Sequence, residues 1–143
     1  MNLNNFGSIL NFAKEIETID EAFYAAACKN PSCKEYKDIF EEFAKNLKKN
    51  IKIAERTLRE NISEMILESI SNFTKDPFYV EIKDIDSMDE KNLIEFAKKL
   101  EKRAMQYYAE ASQKLKALSE VSRALKMLGK KRGAHLNKLE NIK

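Results

Sequence analysis

The sequence predicts an all-α chain, a four-helix bundle made of two similar helical hairpins joined by one long crossover. Three observations predict it. The 143 residues include only three glycines and two prolines, with 43% hydrophobic residues, so long uninterrupted helices are the economical way to enclose one core. Apolar residues recur at helical spacing along most of the chain. The chain also matches itself when slid by 84 residues, with one aperiodic stretch between the halves.

In the first helix, Ile9, Phe12, Ala13, Ile16, Phe23 and Ala27 share a face, which predicts helix over about residues 6–29. Asn30 and Pro31 suit a cap and a first helical position, so a second helix is expected to open at Pro31. Its apolar positions run from Ile39 and Phe40 through Leu58, Ile62, Met65 and Ile66 to Ile70 and Phe73, with no glycine or proline to stop them. That predicts an extended helix ending at about residue 73. Residues 74–87 hold Asp76-Pro77 and no sustained period, and read as the crossover. Ser87 followed by Glu90 has the spacing of a capping box, opening a third helix over about residues 88–114 on Leu93, Ile94, Ala97, Leu100, Ala104 and Tyr108. A fourth helix is expected over about residues 118–142. The turn before it is poorly marked, since no glycine or proline lies between Pro77 and Gly129.

The repeat carries the functional argument. Phe12 to Glu17 matches Phe96 to Glu101, and Tyr24-Ala25 matches Tyr108-Ala109 without a gap. The second and fourth helices align at nearly the same shift, with Phe43 beside Leu128 and Ile51 beside Leu136. Glu17 falls within the apolar arc of its helix and Glu101 within that of its own, so two equivalent carboxylates point inward. Asp20 also lies near the inner face. Buried carboxylates are costly unless paired, protonated or bound to metal.

On these residues the chain resembles the rubrerythrin branch of the ferritin-like superfamily, over essentially its whole length. That family carries a Glu seven residues before a Tyr on helices 1 and 3, as in Glu17 to Tyr24 and Glu101 to Tyr108. Its helices 2 and 4 each supply Glu-x-x-His, so that four carboxylates and two imidazoles hold two irons. The resemblance places His135 at the fourth helix's histidine position and Arg132 at its glutamate, with Leu47 and Asn50 at the matching positions of the second helix. Glu17, Glu101 and His135 are then the ligand positions retained, with Tyr24 and Tyr108 just behind them. Both bridging glutamates are replaced, and the remaining charge cannot balance two divalent ions. The expectation is a degenerate di-iron site in which the Arg132 guanidinium bridges Glu17 and Glu101 while Asn50 and His135 complete the hydrogen bonds. The competing placement leaves Arg132 and His135 on the solvated face.

The rest of the sequence narrows the function by exclusion. Lys and Arg number 26 against 23 Asp and Glu, a net charge of +3 that implies no strong polyanion preference. The basic residues of the last helix read as a solvated face, so nucleic-acid binding is not expected. No signal or membrane-spanning run is apparent, which predicts a cytoplasmic protein and makes the sequons at Asn61 and Asn72 chance matches. Cys28 and Cys33 fit neither a redox nor a zinc motif, leaving free thiols or a local disulfide. No phosphate loop or nucleophile triad is present. The apolar stripe beyond Leu58 is expected to be covered by a second copy in a homodimer or by the crossover. The expected function is therefore that of a non-catalytic structural or interaction protein without a cofactor. The alternative is a rubrerythrin-like oxidoreductase or metal-handling protein with one iron or other divalent ion on Glu17, Glu101 and His135.

Overall fold

A computed structural model of the chain describes residues 2–61 and 70–142. The four long helices are α1 (Phe6–Lys29), α2 (Lys37–Glu60), α3 (Glu90–Lys114) and α4 (Ser119–Glu140). Contacts between them set their directions. Lys14 meets Glu55, Glu21 meets Lys48 and Cys28 meets Lys37, so α1 and α2 run antiparallel. Ser112 reaches Ser122 while Glu101 reaches Arg132, which makes α3 and α4 a second antiparallel hairpin. Between hairpins, Tyr107 bonds the Ile9 carbonyl and Tyr24 bonds Glu101, so α1 opposes α3. It follows that α2 and α3 are parallel, and only a long crossover can join them.

Local chemistry explains where these helices begin and where the sequence-based boundaries shift. Asn5 and Ser8 form a reciprocal capping box at the start of α1, with the Ser8 N–H donating to Asn5 Oδ1 at 2.8 Å. Asn30 ends α1, and its side chain accepts from the Ser32 N–H at 2.8 Å, as a cap would. Pro31, however, opens a short 3-10 segment over Pro31–Tyr36, kinked at a non-helical Cys33 (φ −108°, ψ 22°), and α2 begins only after Tyr36. The same Asn30 amide donates to the carbonyls of Ile85 and Met88, tying this corner to the crossover. α3 begins at Glu90 with Asp89 as its cap, whose carboxylate accepts from the Asn92 N–H at 2.8 Å, instead of the expected Ser87. Ser87 bonds the Asp84 carbonyl in the preceding turn Ile85–Ser87, where Asp84 takes a left-handed conformation (φ 57°).

The extended second helix is also corrected. Ile62, Met65 and Ile66 lie outside the described residues, while Ile70 and Phe73 are not helical. Both are buried within this chain, against the start of α1. The Leu3 N–H donates to the Phe73 carbonyl at 2.8 Å and the Ile70 N–H to the Asn4 carbonyl at 3.2 Å. Three-residue spacing of apolar side chains suits a helix, but here the same residues cover the core from an irregular segment. Cys28 and Cys33 are both free thiols; burial pushes the Cys33 thiol up to about 11, helped by the nearby Glu90 and Asp89. No helix among the described residues is long and apolar enough to cross a membrane.

The core has two apolar clusters. One gathers Phe6, Phe12, Phe73, Phe78 and Tyr107 around the start of α1 and the end of α3. The other gathers Phe23, Phe40, Phe43, Leu93 and Leu100 around the opposite ends. Charged side chains lie where these two clusters meet.

Candidate functional site

Glu17 and Asp20 enter this layer from α1, Asn50 from α2, Glu101 and Arg103 from α3, and Arg132 and His135 from α4. Glu17, Asp20, Glu101 and Arg132 are each 0% exposed. Arg132 stands at the centre. Its Nη1 donates to Glu17 Oε2 at 2.5 Å, its Nη2 to Asp20 Oδ2, and its Nε to Glu101 Oε1. Arg103 Nη2 donates to the other Asp20 oxygen at 2.6 Å. One guanidinium thus presents three different nitrogens to three carboxylates, using the planar fork that a lysine lacks.

Around this centre the two halves of the chain exchange hydrogen bonds. Tyr108 donates to Glu17 Oε2 at 2.6 Å and Tyr24 to Glu101 Oε2 at 2.5 Å, so each half's tyrosine holds the other half's glutamate. Asn50 Nδ2 donates to Glu17 Oε1 at 2.9 Å, and His135 Nδ1 lies 3.1 Å from Glu101 Oε2. A carboxylate only accepts, so Nδ1 carries the proton, and His135 Nε2 accepts from Asn46 Nδ2 at 3.0 Å. The Phe43 ring stacks on the imidazole at 3.9 Å between centroids. The symmetry fails at two places. Leu47, not an arginine, stands opposite Arg132 in the alignment, and the repeat places Ala104 opposite Asp20.

When ionised, the three carboxylates face two guanidiniums, which leaves one net negative charge in the layer. The two glutamates respond differently. Burial raises the Glu17 carboxyl above its ordinary value, outweighing Arg132, Tyr108 and Asn50. Burial also opposes ionisation of Glu101, but Arg132, His135 and Tyr24 overcome it and hold that carboxyl below its ordinary value. Burial and the adjoining glutamates push both Tyr24 and Tyr108 well up, so they remain donors at neutral pH. Burial disfavours the Arg132 cation, but the carboxylates outweigh that cost and raise it well above its ordinary value.

This arrangement does not fit a metal centre. All six oxygens of Glu17, Asp20 and Glu101 already accept a hydrogen bond from the protein. A divalent ion among them would have to expel the Arg132 guanidinium or lie beside it, with like charges in a low-dielectric interior. Among the described residues no group of three or more His, Cys, Asp and Glu side chains is placed to hold a metal.

The structure brings together every residue that the sequence singled out: Glu17, Asn50, Glu101, Arg132 and His135 with Tyr24 and Tyr108 behind them. Sequence reasoning left Asp20 without a partner and missed Arg103 and Asn46 altogether. Arg103 sits three residues after Leu100 and four before Tyr107, both 0% exposed, so its helical position marks it as facing inward. Asn46 stands between Phe43 and Asn50 in the same way on α2.

A family model described as a ferritin-like domain matches residues 7–136. No curated protein and no solved structure matches the chain. With two antiparallel hairpins, one long crossover and a match across nearly the whole sequence, the chain belongs to the ferritin-like domain family.

Proposed function

We propose that this protein is a non-catalytic structural or interaction member of the ferritin-like family, derived from a rubrerythrin-like di-iron bundle. In this reading the Arg132 guanidinium stands where the metals stood. The observation that carries it is the triple engagement of Arg132 with Glu17, Asp20 and Glu101, every one of them 0% exposed. Three carboxylates gathered inside a bundle need compensating positive charge, and Arg132, which ties α4 to α1 and α3, supplies it with Arg103 and without an ion. The enclosure also supports a role without chemistry, because a substrate has no exposed carboxylate or guanidinium of this layer to meet.

Metal content tests the proposal. Protein loaded anaerobically with ferrous iron and then desalted should retain no stoichiometric metal by elemental analysis, and its thermal unfolding should be unchanged by chelator. One ion per chain would replace the proposal with a mononuclear site on Glu17, Glu101 and His135. Two would restore a di-iron oxidoreductase.

A further inference from the structure

Between α2 and α4, outside the buried layer, lies a groove of about 180 Å³ lined by Asn46, Lys49, Asn50, Lys131, His135 and Lys138. Its lining includes side chains that belong to the core: Asn50 is 1% exposed and His135 4%. It continues into a wider depression of about 590 Å³ that shares Lys49 and Lys131 and adds Lys52, Arg56 and Arg59 with one carboxylate, Glu55. The acidic residues nearby are taken. Glu42 holds Lys138 at 3.0 Å, Glu55 holds Lys14 at 2.9 Å, and Glu60 lies 4.0 Å from Arg56. Lys49 on α2 and Lys131 on α4, one on each side of the groove, have no carboxylate partner among the described residues.

A second observation narrows what these cations would hold. The Asn50 amide donates to Glu17, but its Oδ1 is buried and has no hydrogen-bond partner among the described residues. A buried acceptor left unpaired is costly, so a donor arriving from the groove gains more here than at an exposed carbonyl. The geometry points to a binding site for a protonated oxyanion, the hydrogenphosphate group. Its anionic oxygens meet the Lys49 and Lys131 ammonium groups, and its P–OH donates to Asn50 Oδ1. An acceptor-only oxyanion such as sulfate meets the lysines equally well but has nothing to offer Asn50. This site is independent of the role proposed for the buried layer.

Calorimetric titration of the whole chain with inorganic phosphate and with sulfate, at matched ionic strength and neutral pH, tests the inference. Phosphate should bind, and sulfate should bind roughly tenfold more weakly, the ratio expected from one hydrogen bond to a buried acceptor. Lys49→Gln with Lys131→Gln changes only exposed side chains, and should abolish phosphate binding while leaving thermal unfolding in phosphate-free buffer unchanged. Methyl phosphate, mostly a dianion without a P–OH at neutral pH, should bind no more tightly than sulfate, and binding as tight as that of phosphate would overturn the role given to Asn50 Oδ1. Equal affinity for phosphate and sulfate would overturn the inference, since charge alone would then explain the groove. Absence of phosphate binding at millimolar concentrations, or binding that survives the double substitution, would overturn it as well.

Discussion

Glu17 and Glu101 occupy equivalent positions in the repeat, accept from equivalent tyrosines and share one guanidinium, yet their surroundings shift them in opposite directions. The neighbours differ: Asp20 sets a like charge beside Glu17, which takes a hydrogen bond from the Asn50 amide, whereas Glu101 takes one from the His135 imidazole. Glu101→Gln should therefore destabilise the protein more than Glu17→Gln in urea unfolding at neutral pH, with the Glu101 loss on the order of 3 kcal/mol. Equal losses would contradict the asymmetry. The pH dependence has two opposed parts. The folded Glu101 carboxyl lies below 4.5, so its contribution is complete above that pH and disappears as pH falls through its folded value. The folded Glu17 carboxyl lies above 4.5, so acidification first relieves the cost of its buried charge. Glu17→Gln should therefore remove a gain in stability on mild acidification that the natural protein shows, while Glu101→Gln should blunt the later acid loss. Unfolding curves across the acid range would show both.

The pairing of α3 with α4 depends on two glycines that differ in use. A Cβ on Gly129 would sit 3.2 Å from Tyr108 Cβ, and Tyr108 cannot easily retreat because its hydroxyl is held by Glu17. A Cβ on Gly133 would meet only the flexible end of Met105, at 3.4 Å from Cε. Replacing a helical glycine with alanine is worth about 0.5–1 kcal/mol. Gly133→Ala should gain that amount in chemical denaturation, whereas Gly129→Ala should fail to gain it and lose stability. The helices themselves were legible because their apolar spacing is long and regular. Their boundaries were less so, since local competition decides them: Asp89 outdoes Ser87 as a cap, and Asn30-Pro31 starts a 3-10 turn before α2 can begin. Ile70 and Phe73 misled for a different reason. Their spacing fits a helix, but pairing with Leu3 and Asn4 satisfies the same backbone groups in an irregular segment, a contact between distant parts of the chain that no local pattern reports.

At the scale of the whole molecule, a charged layer separates two apolar clusters, and the chain's internal repeat organises that layer. The repeat made the exchange of Glu17, Tyr24, Glu101 and Tyr108 readable, because equivalent residues on the two halves must face one another. Arg132, His135 and Asn50 were readable only through the register of α2 and α4. Asp20 and Arg103 were not, since neither has a counterpart in the other half: the repeat sets Ala104 and Ile19 opposite them. Arg132 joins all three carboxylates of this layer, so its loss should leave Glu17 and Glu101 without a cationic partner and Asp20 with Arg103 alone. The cost should then fall when Arg132→Ala is made in a Glu17→Gln, Glu101→Gln background, because fewer buried charges are left unpaired. The most direct measurement is equilibrium urea unfolding of Arg132→Ala beside the natural protein. A loss of about 3–5 kcal/mol, the range for removing one partner from a buried ion pair, is the predicted result; a loss below about 1 kcal/mol would contradict the account of Arg132 as the charge that holds the core together.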